Sequence, residues 1–207
     1  MTSSQWKPRK SILIPYDPLQ YDLYRAGDPA CVYHPTRWPL SEGRGRFGEF
    51  PLVVVREYFR GQGYAVLASE PRLPNAEGFI LVSYPRKRRA ADPAYQRMEA
   101  IFGSAALAEL NASSDAAKVR WTGNAAGGDP DLFVFGANQP DDRFFVEVKH
   151  HDQLTTKQLV TFPLIDKLCP IFVARLIVDR YLPAGTPTRA CSRPATKSSG
   201  GRLMPDR

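Results

Sequence analysis

The apolar positions fall in short blocks whose spacing changes along the chain. Residues 50–60, FPLVVVREYFR, have helical spacing, with Pro51 tolerated in the first turn. Gly61 and Gly63 then stop that helix, and YAVLAS reads as a strand. GFILVSY reads as a second strand. AYQRMEAIFGSAALAEL, residues 94–110, predicts a helix with Tyr95, Met98, Ile101, Phe102 and Leu107 on its apolar face, weakened at Gly103. Residues 70–126 are longer than an ordinary connection and read as an insertion. DLFVF and RFFVEVK predict a hairpin of strands around the turn cluster GANQPDD. A helix over 153–168 follows, with Asp152 or Thr155 as N-cap and a kink at Pro163. PIFVARLIV, residues 170–178, is apolar enough for a strand buried on both faces.

The flanks lack such periods. Residues 1–46 predict an irregular N-terminal arm, packed on the body through Trp38 and Tyr33. Residues 183–207 carry five basic residues against one acidic and too little apolar matter to fold, a disordered basic tail. What remains, residues 47–182, is a single α/β domain running helix, strand, insertion, hairpin, helix, strand.

Charge narrows the class of partner. The chain has 28 Lys and Arg against 21 Asp and Glu, a net charge of +7, and an isoelectric point near 9.4. A polyanion fits this balance, nucleic acid first and an acidic membrane surface second. No apolar run is long enough to span a bilayer, and SILIPY is too short for a signal peptide, so no membrane partner is expected. Cys31, Cys169 and Cys191 form no CxxC pair, and Cys31-x-x-His34 offers only two ligands. A structural zinc site is therefore not expected, and a reducing cytoplasm suits the chain.

The chemistry concentrates in GGDPDLFVFGANQPDDRFFVEVKHHD, residues 127–152. If Gly136 faces Asp142 across a symmetric hairpin, Asp131 falls opposite Glu147, and directly opposed residues share a face. Lys149, two positions on, shares it too. Leu132, Val134, Phe144, Val146 and Val148 then fall on the other face. Two adjacent carboxylates repel unless a cation bridges them. A hard divalent ion takes oxygen ligands and polarises a phosphoryl oxygen, while a lysine beside it orients water or stabilises developing charge. These are the parts of metal-assisted phosphodiester hydrolysis.

Pro130-Asp131 followed by Glu147-Val148-Lys149 resembles the PD-(D/E)XK nuclease signature of the restriction-endonuclease-like fold. GGDPDL ahead of the strand, and Asp152-x-Leu154-Thr155-x-x-Gln158 after it, are similar to the virus-type replication-repair nuclease (VRR-NUC) branch. The resemblance covers about residues 49–69 and 127–178. It implies an αβββαβ core with a mixed central sheet flanked by helices, and Mg²⁺- or Mn²⁺-dependent hydrolysis of DNA in repair, recombination or the processing of phage and mobile-element DNA. It makes Asp131, Glu147 and the Val148 carbonyl the metal ligands, Lys149 the catalytic lysine and Gln158 a support from the next helix. A first-helix glutamate completes such sites, and Glu49 is the candidate, with Glu57 about 80° round the helical wheel as its competitor. Related folds pair subunits to cut two strands, so a homodimer stays open. The segment between Lys149 and Asp152 is a residue shorter than usual in that branch.

Each residue also has a plainer reading. Asp131 caps turns well, Glu147 and Lys149 suit the solvated face of an edge strand, and Thr155-x-x-Gln158 is a capping box. Glu49 is favourable at a helix N-terminus whatever else it does, and His150 and His151 read as exposed loop residues. Arg86, Lys87, Arg88 and Arg89 suit phosphate-backbone contacts or a solvated loop equally. A noncatalytic nucleic-acid-binding or assembly protein on a nuclease scaffold is the alternative to an enzyme.

Overall fold

A computed structural model of the chain describes residues 6–33, 46–69, 77–82, 91–119, 128–136, 139–150 and 152–179. Trp38, the Arg86–Arg89 cluster, His151 and the basic tail lie outside the described residues.

Six strands form one mixed sheet in the order β1-β6-β5-β4-β2-β3. They are β1 (Lys10–Tyr16), β2 (Tyr64–Ser69), β3 (Gly78–Phe79), β4 (Leu132–Gly136), β5 (Gln139–Lys149) and β6 (Ile171–Val178). β5 and β4, and β4 and β2, run antiparallel, whereas β6 pairs in parallel with both β1 and β5. Helices cover both faces. On one side α1 (Pro18–Ala26) and α2 (Arg46–Gly61) contribute Tyr24, Phe50, Val53, Val54 and Phe59 to a core with Ile14, Val134, Val146 and Leu176. On the other side α3 (Pro93–Phe102), α4 (Ser104–Val119) and α5 (Thr156–Leu168) bring Met98, Leu107, Phe162 and Ile165 against Phe79, Phe133, Phe145 and Ile171.

The expected irregular arm is corrected between residues 10 and 26. SILIPY lies within β1, where Lys10 through Tyr16 pair with Phe172 through Val178, a partner remote in sequence that local periodicity does not display. α1 has full end signals: the Asp17 side chain accepts from Leu19 N, Pro18 opens the helix, and Gly27 closes it at φ 69°. Tyr33 packs edge-on against Phe50, as expected of it.

The expected helix over 94–110 is two helices, because Gly103 adopts φ +87° and breaks the run. Pairing in GFILVSY stops at Phe79, since the Leu81 and Val82 amides donate to the Asp129 carboxylate at 3.0 and 2.8 Å instead of to a strand. Thr155, not Asp152, caps α5, which runs as a helix through Pro163. The mixed sheet flanked by helices agrees with the expected α/β class.

Candidate active site

The hairpin keeps the expected register where it matters and departs from it at the tip. Leu132 pairs with Val146 and Phe135 with Arg143, while a shift between Phe135 and Gly136 puts Gly136 opposite Gln139 instead of Asp142. One step beyond Leu132 and Val146 stand Asp131 and Glu147. The Asp131 carboxylate turns into the ladder, accepting the Val148 amide at 2.8 Å, while its own carbonyl accepts the Ser69 amide at 2.8 Å.

β5 lies inside the sheet, between β6 and β4, and both its faces are covered. The apolar residues are therefore not confined to the face opposite Glu147: Phe133 and Phe145 share the face of Glu147 and pack beneath α5. Glu147 is 1% exposed and Lys149 3%. Burial this deep excludes the solvated edge-strand reading.

The Lys149 ammonium lies 2.9 Å from Glu147 Oε1 and donates to Asp152 Oδ2 at 2.8 Å and to Gln158 Oε1 at 3.4 Å. Gln158 Nε2 donates to the same Glu147 Oε1. Gln158 serves the helix as well: its Oε1 accepts the Thr155 amide at 2.9 Å, and its own amide donates to Thr155 Oγ1 at 3.3 Å. The capping box and the site contact are thus one residue doing both, and the cap fixes the rotamer that reaches Glu147. Both polar ends of the Gln158 amide are used in this way.

Among the described residues, no hydrogen-bond partner meets the buried Glu147 Oε2. Burial, then the negative charge of Asp131, pushes the Glu147 carboxyl well above its usual range, and Lys149 and Gln158 only partly offset this. Burial alone would lower the Lys149 pKa, but the Glu147 and Asp152 carboxylates prevail and raise it. Burial also opposes the charge of Asp152, yet its bond from Lys149 lowers its pKa overall.

The loop that delivers Asp131 is fastened to α5. Gly128 O accepts from Thr161 Oγ1 at 2.8 Å, and a Cβ on Gly128 would stand 3.0 Å from that oxygen. With φ at +133° as well, the position calls for glycine.

Glu49 stands in the first turn of α2, the layer on the other side of the sheet. Its charge, after burial, raises the Tyr24 phenol to about 12. Glu57 is engaged by Arg56 at 2.8 Å and Arg60 at 3.5 Å. Among the described residues, no group of three or more His, Cys, Asp or Glu is placed to hold a metal. The structure therefore brings Asp131, Glu147, Lys149 and Gln158 together and does not gather Glu49 with the acids.

Two participants were missed as site residues. Asp152 reads in sequence as a cap candidate, though its spacing of three from Lys149 is visible there, and it holds the Lys149 ammonium. His150 is partly buried, with Nε2 3.0 Å from the Tyr16 hydroxyl and its ring edge-on to Tyr16 and Tyr21. That contact depends on β1 and α1, so no local pattern could reveal it.

No protein-family model matches the chain, and no curated protein matches it. Among the described residues, no helix is long and apolar enough to cross a membrane.

Proposed function

We propose that the chain is a metal-dependent nuclease of the PD-(D/E)XK class. Within that class the reading is a deoxyribonuclease of the VRR-NUC kind. The observation that carries the proposal is the buried cluster of Glu147, Lys149 and Gln158 beside Asp131, with Glu147 Oε2 left without a partner among the described residues. An orphaned buried carboxylate oxygen is costly unless a ligand meets it. Two carboxylates and the Val148 carbonyl form a small all-oxygen donor set, which suits Mg²⁺ or Mn²⁺ keeping several waters. When bound, such an ion would neutralise the paired carboxylates and polarise a phosphoryl oxygen.

The protein's own groups have distinct parts. Asp131 and Glu147 set two carboxyl groups side by side, with the Asp131 carboxylate locked by the Val148 amide. Lys149, its pKa raised, stays protonated through the neutral range. It therefore acts as a hydrogen-bond donor that orients water and stabilises charge on phosphate, not as a proton acceptor. Gln158 fixes the Glu147 carboxylate, and Asp152 holds the lysine from its far side. The net positive charge favours a polyanionic substrate.

The test is incubation of the purified protein with linear, flapped, branched and single-stranded DNA in Mg²⁺. Cleavage is expected, reduced by at least about a hundredfold in Asp131→Ala and Lys149→Ala, as for loss of an electrostatic stabiliser. Undiminished cleavage by both variants would place the chemistry elsewhere.

A further inference from the structure

We infer that Arg175 is a positioning residue that grips a phosphate of the nucleic-acid strand beside Lys149; the identity of this anion rests on the nuclease reading above. Arg175 lies on β6 in register with Lys149 on one side and Leu13 of β1 on the other. Paired positions in neighbouring strands point to the same face, about 5 Å apart. The three side chains thus form a row across the sheet on the face that carries Glu147. Along that row the surroundings open steadily: Lys149 is 3% exposed, Arg175 is partly buried, and Leu13 is 59% exposed. Ile177, the next residue on the Arg175 face, is 42% exposed. The guanidinium therefore stands where the buried site meets solvent.

Its lack of partners sets it apart. Among the described residues, the other partly buried arginines are all engaged: Arg56 with Glu57, Arg97 with the Gly78 carbonyl, and Arg143 with the Ile101 carbonyl. No hydrogen bond or ion pair among the described residues engages the Arg175 side chain. The carboxylates of the neighbouring cluster, Glu147 and Asp152, are already bound to Lys149. A guanidinium presents five donors in a planar fork that matches phosphate oxygens. Set one strand away from Lys149, it can hold a phosphate next to the one on which the lysine acts, fixing the strand in register with the carboxylates.

The experiment measures binding of fluorescein-labelled single-stranded and duplex DNA by anisotropy, with Ca²⁺ in place of Mg²⁺, across a salt series. Arg175→Ala is expected to weaken binding by about tenfold and to reduce the slope of log affinity against log salt by about one, the signature of one lost phosphate contact. Arg175→Lys should restore the slope, and in cleavage assays Arg175→Ala should raise KM more than it lowers kcat. Unchanged affinity and slope in Arg175→Ala would overturn the inference and leave a solvated arginine. A wild type that shows the Arg175-dependent slope but cuts nothing would overturn the nuclease reading while the phosphate contact stands. A wild type that binds no DNA would overturn both.

Discussion

Glu147 is a carboxylate in a place that favours its neutral form, and the consequence is measurable. Its pKa is raised, so in the absence of metal the fold loses stability as the pH rises from the ordinary carboxyl range through that raised pKa, and lowering the pH restores it. Glu147→Gln should accordingly raise the thermal midpoint of the metal-free protein at neutral pH by several degrees, and Mg²⁺ should raise the midpoint of wild type but not of the variant. A variant less stable than wild type in EDTA would mean that the lysine contact outweighs burial. The acids, the lysine and the glutamine were legible in the sequence because a hairpin's period of two and a capping box's spacing of three are local rules. Glu49 and Arg175 obey no such rule. The sheet separates Glu49 from α5, and Arg175 comes beside Lys149 only through the pairing of β6 with β5.

Among the elements, α5 and the loop before β4 act as one support. Thr161 closes on Gly128, Asp129 ties the Leu81 and Val82 amides, and two residues later Asp131 enters the ladder. Gly128→Ala should cost about 1–3 kcal/mol in urea unfolding, from positive-φ strain together with the clash at Thr161. Activity should fall further than stability alone explains, because Asp131 moves with the loop. Equal stability and activity in wild type and variant would show the loop to be independent of α5. The glycine and the capping box were visible in sequence. The contact of Gly128 with Thr161 of the same helix was not, since a glycine does not announce which side chain approaches it.

Across the whole molecule, the sheet is completed by its first strand. β1 joins the edge beside β6 and supplies Ile14 and Tyr16 to the core under α2. Ile14 is fully buried, so Ile14→Ala should destabilise the fold by about 2–5 kcal/mol in urea titration, whereas an N-terminal arm merely resting on the surface would lose almost nothing. The class and the central hairpin could be read from local periods, but a parallel strand pair joined across most of the chain could not. The proposed chemistry depends on whether the Asp131–Glu147 pair takes up a divalent ion, which calorimetric titration of the metal-free protein with Mn²⁺ measures directly. One ion should bind wild type, more tightly as the pH rises because the raised Glu147 carboxyl must ionise to ligate, and Asp131→Ala and Glu147→Gln should each abolish the heat. Equal heats in wild type and both variants, or no binding to any of the three, would contradict the metal site.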